Sequence, residues 1–228
     1  MNRPDLLIFD CDGVLIDSEI IGINLTRSLL KQHGVDIGLA EFAAEYSGLL
    51  WDDLINKVKS DKRIDIPASI HQDFYRALLK QFEEKLTRIP GSYEAISEIA
   101  ARKCICSNSS TEQLNFTLAL VGLTPLFSPN IFSAVDLGPG RSKPQPDIFL
   151  HAAEAMQATP GNTIVIEDSV HGVTGAKKAG MYVIGFTGGS HTYSNHQEKL
   201  RAAGADVVIN SMHQLSNELA RFGRRAVK

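Results

Sequence analysis

The sequence predicts an α/β fold in which a parallel sheet carries helices on both faces, with a small helical domain inserted after the first strand. From Pro90 onwards, short apolar runs alternate with helical patterns, as is typical of a parallel sheet. From about Ser18 to Arg88 there is no convincing strand, and this stretch is too long for a loop. We therefore expect a core domain of residues 1–17 and 89–228 and a helical cap of residues 18–88.

The first strand is the apolar run Leu6–Phe9, and two carboxylates follow it at once. An unbroken apolar run predicts a strand that is buried on both faces. Alternation along an extended chain puts Asp10 and Asp12 on one side and Cys11 on the other. Unpaired charges near a core cost several kcal/mol, so these acids need a cation or a chemical task. Two solvated aspartates in a turn before Gly13 are the alternative.

The inserted segment is predicted to form four helices. The last one has an apolar residue every four positions from Ile70 to Leu86, a stripe that usually packs in a core. The predicted helices run from Ser18 to about Gly34, over Leu39–Tyr46, over Trp51–Val58, and onwards from Pro67.

The remainder of the chain is predicted to form a Rossmann-like sheet of alternating strands and helices. Besides the first strand, the predicted strands are Lys103–Ser107, Asn130–Val135, Thr163–Glu167, Met181–Phe186 and Asp206–Ile209. The predicted helices are Ser92–Ala101, Ser110–Val121, Pro146–Met156, Ser169–Ala179, Ser194–Ala203 and a final helix from His213.

Composition narrows the class of protein. The 228 residues are 43% hydrophobic and 21% charged, with a net charge of -3, which gives no support for binding nucleic acid or an acidic membrane surface. No stretch approaches the length of a membrane span, and the first apolar run is too short for a signal peptide. Three cysteines cannot all pair within the chain. We expect reduced thiols, with Cys11 as a packing residue, in a cytoplasmic protein.

Polar residues recur at the carboxyl ends of the predicted strands, where open parallel sheets bind ligands. They are Asp10 and Asp12, then Ser107, Asn108 and Ser109, then Lys143, and finally Glu167 and Asp168. Singly, each has an ordinary explanation: Ser107 could cap a helix, Lys143 could be solvated, and Glu167 and Asp168 could be an acidic first helical turn. Taken together, those explanations do not account for Asp10 and Asp12, which directly follow a strand predicted to be buried.

Together these residue types predict phosphoryl transfer. Gathered carboxylates repel one another unless a divalent cation lies among them, and oxygen ligands favour Mg²⁺. A lysine offers a point charge to phosphate oxygens. Residues 109–112 have capping-box spacing, and a helix start binds anions. A carboxylate nucleophile in this setting predicts an aspartyl-phosphate intermediate.

Four motifs resemble those of the haloacid dehalogenase-like hydrolases. The resemblance covers nearly the whole chain, and the insert resembles the helical cap of the subfamily that contains β-phosphoglucomutase and sugar-phosphate phosphatases. In order along the chain, the motifs are Asp10-Cys11-Asp12-Gly13-Val14-Leu15-Ile16-Asp17-Ser18-Glu19, Ser107-Asn108-Ser109, Lys143-Pro144-Gln145-Pro146-Asp147 and Glu167-Asp168-Ser169.

The resemblance implies a role for each motif residue. Asp10 would be the nucleophile and Asp12 the general acid and then base. Mg²⁺ would be held by Asp10, the main-chain carbonyl of Asp12, and Asp168, and Glu167 would contact these ligands or bind the ion through a water molecule. Ser107 and the Asn108 amide would bind the phosphoryl group, and Lys143 would neutralise charge between that group and Asp10.

Other activities of the family fit less well. The dehalogenases lack the second aspartate that is present here as Asp12. The mutases carry a histidine where this chain has Gly22, and the phosphonate hydrolases use a cap lysine, for which only the late Lys31 is available. Outside the family, a receiver domain that signals through aspartyl phosphate is about half this length. A non-catalytic binding protein would not need every catalytic position filled.

Substrate choice is predicted to lie in the cap. The loop of residues 47–52 is the candidate specificity loop, in which Gly48 and Trp51 are singled out, although Trp51 could equally pack in the cap. By resemblance we expect a sugar or sugar-acid phosphate, a cap that moves on hinges near residues 17–18 and 88–91, and a monomer or weak dimer. His191 and His196 lack the spacing and third ligand of a metal site, so no role is predicted for them.

Overall fold

The computed structural model describes residues 3–46, 49 and 51–225. A six-stranded sheet lies at its centre, with every neighbouring pair of strands parallel and the strand order β3-β2-β1-β4-β5-β6. The strands are β1 (Leu6–Phe9), β2 (Lys103–Ser107), β3 (Ile131–Ser133), β4 (Thr163–Glu167), β5 (Tyr182–Phe186) and β6 (Val207–Ile209).

The described helices are α1 (Glu19–Gln32), α2 (Leu39–Glu45), α3 (Trp51–Lys62), α4 (Ile70–Lys85), α5 (Ser92–Ser97), α6 (Thr111–Leu120), α7 (Thr124–Phe127), α8 (Asp147–Ala155), α9 (Val170–Lys178), α10 (His196–Ala202) and α11 (Leu215–Arg225). Short 3₁₀ turns cover Val135–Leu137, Pro160–Asn162 and Met212–Gln214. None of these helices has the length and apolarity needed to cross a membrane.

Both faces of the sheet are covered, which makes β1 a buried central strand. Leu7, Phe9 and Cys11 pack in the core on one face, whereas Leu6 and Ile8 pack in the core on the other. All three cysteines of the chain are free thiols that are fully buried. The predicted α/β fold, with its parallel Rossmann-like sheet, is thus confirmed.

The helical segment between β1 and β2 has a hydrophobic cluster of its own. Leu30, Phe42, Tyr46 and Val58 are buried there together. The predicted stripe of α4 contributes Leu78 and Phe82 to a second cluster that packs against α1. The boundaries predicted for the cap, at residues 18 and 88, stay a prediction.

Two chain segments connect this helical part to the sheet, and they lie side by side. The Asp17 N–H donates to the Thr87 carbonyl at 3.0 Å, and the Ile89 N–H donates to the Leu15 carbonyl at 2.9 Å. Ile16 and Arg88 form an isolated antiparallel bridge between them. The chain therefore leaves the sheet for the helical part, and returns from it, through two segments that pair with each other.

The predicted bounds of β2 and β4 match the structure, whereas several helix limits were wrong. α3 continues to Lys62, α4 begins at Ile70 rather than Pro67, and the short α7 was not predicted. α6 starts one residue later than its capping box implied. The N-cap is Ser110, whose Oγ accepts the Gln113 N–H at 3.2 Å, and this leaves Ser109 free for another contact.

Candidate active site

A cavity of about 360 Å³ opens where β1, β2 and β4 end. Because parallel strands end at the same edge of a sheet, residues from distant parts of the chain meet there. Six of the predicted site residues line this cavity: Asp10, Asp12, Ser107, Asn108, Lys143 and Asp168. Glu167 is fully buried behind them.

Lys143 is a buried cation with two carboxylate partners. Its Nζ donates to Asp10, lies 2.5 Å from Oε1 of Glu167, and donates to the Cys106 carbonyl at 2.8 Å. Burial acts to lower the pKa of Lys143, but Asp10 and Glu167 together raise it above its ordinary value. The ammonium is therefore charged, and it is not a solvated surface lysine.

Three buried acids surround one point next to this lysine. Single carboxylate oxygens of Asp10, Glu167 and Asp168 all lie within 4.8 Å of one another. Burial raises the pKa of Asp10 against the effect of Lys143, and the neighbouring carboxylates raise it further. The Lys143 ammonium alone does not balance three carboxylates, and a hard divalent cation suits their oxygen donors.

The Asp12 carboxylate lies in different surroundings, held by hydroxyl groups. Ser18 Oγ donates to its Oδ1 at 2.6 Å, and Ser109 Oγ donates to its Oδ2 at 2.8 Å. Ser107 Oγ is 3.4 Å from the same Oδ2, and Gln113 Nε2 donates to Ser109 Oγ at 3.2 Å. The Asp12 carboxylate is not part of the three-acid cluster, so only its main-chain carbonyl is left as a candidate metal ligand.

Asn108 contacts the loop of Lys143, and Ser107 forms a hydrogen bond within its own motif. Asn108 Oδ1 accepts the main-chain N–H of Lys143 at 2.9 Å, and its Nδ2 is 3.4 Å from the Lys143 carbonyl. Ser107 Oγ accepts the Ser109 N–H at 3.0 Å. The Asn108 side chain therefore holds the loop that carries Lys143.

Gly48 and Trp51 are the two residues that the sequence analysis singled out for substrate choice. Gly48 lies outside the described residues. Trp51 lines a second cavity, of about 220 Å³, and does not line the cavity of Asp10. Its ring stacks on His71 at 5.1 Å and packs against Phe74 at 4.5 Å. The two cavities have Asp12, Glu19, Leu49 and Ser109 in common.

Five titratable residues that line the first cavity were given no role from the sequence, namely Glu19, His171, His191, Tyr193 and His196. Burial raises the pKa of Glu19 to about 7, although His191 opposes the shift. His191 and His196 follow β5, which pairs with β4, so their position at the same sheet edge was the missed signal. Glu19 stands at the end of the first motif.

His191 and His196 both contact Asp168. His191 Nε2 lies 3.0 Å from Asp168 Oδ2, and His196 Nε2 lies 2.7 Å from the Asp168 main-chain carbonyl. Burial opposes protonation of His191, but Asp168 and Glu19 raise its pKa to about 9. Burial lowers the pKa of His196. Both rings thus lie beside a candidate metal ligand, a position that their spacing in the sequence did not predict.

Relatives of this chain are known by sequence and by structure. It is 29% identical over 192 residues to 6-phosphogluconate phosphatase of Escherichia coli, covering 84% of this chain and 86% of that protein. A conserved haloacid dehalogenase-like protein of unknown function from Agrobacterium tumefaciens superposes with a TM-score of 0.92 at 45% identity, covering 95% and 98% of the two chains.

A third relative is a haloacid dehalogenase family hydrolase from Deinococcus radiodurans, whose crystal structure contains bound phosphate and sodium. Its TM-score is 0.84 at 29% identity, with 97% of this chain and 98% of that chain covered. The family model for haloacid dehalogenase-like hydrolases matches residues 4–180. The predicted class of enzyme, a phosphoric monoester hydrolase, is confirmed, and this chain belongs to the haloacid dehalogenase-like hydrolases.

Proposed function

We propose that the chain is a Mg²⁺-dependent phosphatase that hydrolyses a small phosphate monoester through an aspartyl phosphate on Asp10. The observation that carries this proposal is the contact of the buried Lys143 ammonium with Asp10, beside the three-acid cluster. A lysine in that position neutralises charge where a phosphoryl group meets the carboxylate. It also keeps Asp10 from repelling the incoming anion.

In the first step, a carboxylate oxygen of Asp10 attacks phosphorus as the bond to the ester oxygen breaks. Asp12 gives its proton to the departing alkoxide, which leaves as an alcohol. In the second step, Asp12 takes a proton from water, whose oxygen attacks phosphorus and releases inorganic phosphate and Asp10. The hydroxyl donors Ser18 and Ser109 fix the orientation of Asp12 for both proton transfers.

The metal would be held by Asp10, the Asp12 main-chain carbonyl and Asp168, with Glu167 as a water-mediated partner. Bound Mg²⁺ supplies positive charge that offsets the charge on the transferring phosphoryl oxygens. Ser107, Asn108 and Lys143 would contact that group from the side of β2. The bound phosphate named for the Deinococcus radiodurans relative agrees with an anion site of this kind.

The substrate class we propose is a sugar phosphate or sugar-acid phosphate. A cavity of about 360 Å³ suits a small polar metabolite rather than a polymer. The name of the Escherichia coli relative, 6-phosphogluconate phosphatase, points to the same class. Residues 18–88 would act as a cap over the cavity and exclude water during the first transfer. Gly48 and Trp51 would influence substrate choice, Trp51 from the adjoining cavity that it lines.

The surroundings of the protein are proposed from its thiols and charge. Three buried free cysteines suit a reducing compartment, so we place the chain in the cytoplasm. We propose that its partner is the metabolite, without nucleic acid or membrane, and that it acts as a monomer or weak dimer. A net charge of -3 agrees with the proposal that the chain binds neither nucleic acid nor an acidic membrane surface.

The test is a screen of phosphorylated metabolites with Mg²⁺, with Asp10→Asn as the blank and p-nitrophenyl phosphate as a general substrate. Phosphate release by the wild type alone, abolished by EDTA and restored by Mg²⁺, is the expected result. Stable phosphorylation of Asp10 by a small phosphodonor without turnover would instead favour a signalling protein. Transfer of phosphate between two sugar positions would favour a mutase, although Gly22 provides no side chain for it.

A further inference from the structure

The loop between β5 and α10 brings two buried imidazoles to the candidate active site. His191 and His196 are only 6% and 4% exposed, and both line the cavity that contains Asp10. Their Nδ1 atoms have no hydrogen-bond partner within the described part of the chain. A buried polar group without a partner costs free energy of folding, so we expect other contacts of each ring to offset that cost.

Both rings use their other nitrogen on a single residue, Asp168. A main-chain carbonyl only accepts hydrogen bonds, so His196 Nε2 must donate to it across 2.7 Å. A carboxylate oxygen also accepts, and His191 Nε2 lies 3.0 Å from Asp168 Oδ2, its side-chain hydrogen-bond partner. Asp168 is therefore held at its main chain and at its carboxylate by two separate donors.

The His191 ring occupies a slot whose walls are two glycines. A Cβ atom at Gly13 would lie 2.9 Å from His191 Cε1 and 1.9 Å from Asp168 Oδ2. A Cβ atom at Gly189 would lie 2.7 Å from His191 Nδ1. Real side chains do not approach so closely, so both positions must lack one for the ring and the carboxylate to meet.

The loop itself is tied to the chain that follows β1. The Ser190 N–H donates to Asp17 Oδ1 at 3.0 Å, and Ser190 Oγ donates to Asp17 Oδ2 at 2.5 Å. The Tyr193 ring stacks on His196, with 4.6 Å between centroids and 11° between planes. These contacts fix both imidazoles before any ligand arrives.

We propose that His191 is a positioning residue for Asp168, supported by His196, and that it sets the affinity of the three-acid cluster for a divalent cation. This inference rests on the proposed function, in which Asp168 is a metal ligand. Fixing one oxygen of a carboxylate fixes the rotation of the whole group, so less freedom is lost when the cation binds. Hydrogen-bonded partners of metal ligands commonly change affinity by about 10–100-fold.

Two other roles for His191 predict different measurements. A residue that only stabilises the fold would change the melting temperature and leave the Mg²⁺ affinity of the folded protein unchanged. A residue that contacts the substrate would raise KM at saturating Mg²⁺ and leave the metal affinity unchanged. Positioning of Asp168 lowers the metal affinity and leaves KM at saturating Mg²⁺ near its wild-type value.

The experiment is calorimetric titration of Mg²⁺ into the metal-free full-length protein and its variants. His191→Leu removes the donor, and we expect its Kd for Mg²⁺ to rise about tenfold or more. His191→Gln keeps an N–H at similar reach, and we expect it to recover most of the affinity. His171→Leu, at another cavity residue, is the matched control and leaves the Kd unchanged.

Asp168→Asn separates failure of this inference from failure of the proposed function. If Asp168→Asn binds Mg²⁺ as the wild type does, the proposed metal site is wrong. If Asp168→Asn loses binding while His191→Leu retains wild-type affinity, the metal site stands and the positioning role is overturned.

Should His191→Leu fail to fold, the wild-type protein still provides a test by NMR. The Nε2–H signal of His191, assigned by its loss in His191→Gln, is expected to persist and to shift as Mg²⁺ is added. A signal from Nε2–H that is absent, or that does not respond to Mg²⁺, overturns the proposal.

Discussion

Lys143 Nζ lies 2.5 Å from Glu167 Oε1, and the two side chains are only 3% and 0% exposed to solvent. The same ammonium contacts Asp10, so one cation holds two carboxylates that would otherwise repel each other. The candidate site depends on this balance, because removing one charge leaves the others buried without compensation.

Removing the lysine charge is therefore expected to destabilise the metal-free protein. For Lys143→Met at pH 8 in EDTA, we expect the free energy of unfolding to fall by about 3–5 kcal/mol, the usual cost of a broken buried pair. The double variant Lys143→Met/Glu167→Gln should recover part of that loss. Urea denaturation measures both.

The control for this prediction is an exposed pair. Lys31 and Asp36 form a salt bridge with side chains 67% and 70% exposed. Lys31→Met should therefore change stability by less than about 1 kcal/mol. A loss of similar size for the two lysine variants would contradict the buried ion pair.

Neighbouring serines should have separable effects. Ser109 Oγ donates to Asp12, so Ser109→Ala is expected to lower kcat about tenfold, given that one hydrogen bond to a charged group contributes roughly 1.5–3 kcal/mol and Ser18 remains. Ser110 caps α6, so Ser110→Ala should cost about 1 kcal/mol of stability and leave kcat unchanged. Steady-state kinetics on an alkyl phosphate and thermal unfolding distinguish the two. Equal kcat values would argue against the role given to Ser109.

The pKa of Glu19 predicts how the stability of the metal-free protein varies with pH. Its pKa is about 7 in the folded protein, against 4.5 in the unfolded chain. Between these values the folded state binds more protons, so this residue makes stability fall as pH rises. Glu19→Gln should thus stabilise the protein more at pH 8 than at pH 4.5, in chemical denaturation with EDTA. An equal effect at both pH values would rule out the raised pKa.

Two helical glycines should respond in opposite ways to alanine. At Gly22, in α1, an added Cβ meets no atom of the described residues within 4 Å, so Gly22→Ala should raise the free energy of unfolding by about 0.5–1 kcal/mol. At Gly172, in α9, the same atom would lie 1.9 Å from the buried Glu167 carboxyl carbon. Gly172→Ala should therefore destabilise the protein, as urea denaturation would reveal. Stabilisation by both changes would mean that Glu167 can move.

The sheet and the acidic residues were predictable because their signals are local. Buried parallel strands appear in a sequence as short apolar runs, and such runs predicted the bounds of β2 and β4. Asp10, Lys143 and Asp168 came together because each follows a strand of one sheet.

The environment of Asp12 and the role of the histidines were not predictable in this way. Ser109 reaches Asp12 across 97 positions of sequence, and His196 reaches Asp168 across 28. Such contacts depend on which strands are neighbours and on how a loop returns to the sheet edge, neither of which a short window of sequence records. The capping box was misplaced by one residue because Ser109 and Ser110 are chemically the same, and only the contact to Asp12 separates them.

Cys11 stands between the two catalytic candidates Asp10 and Asp12, yet its thiol points into the core and is fully buried. A thiol reagent cannot reach it while the sheet is intact. The rate at which the cysteines react in native buffer therefore measures how often the central strands separate, and bound metal or substrate should slow that labelling in proportion to how firmly it holds β1 to its neighbours.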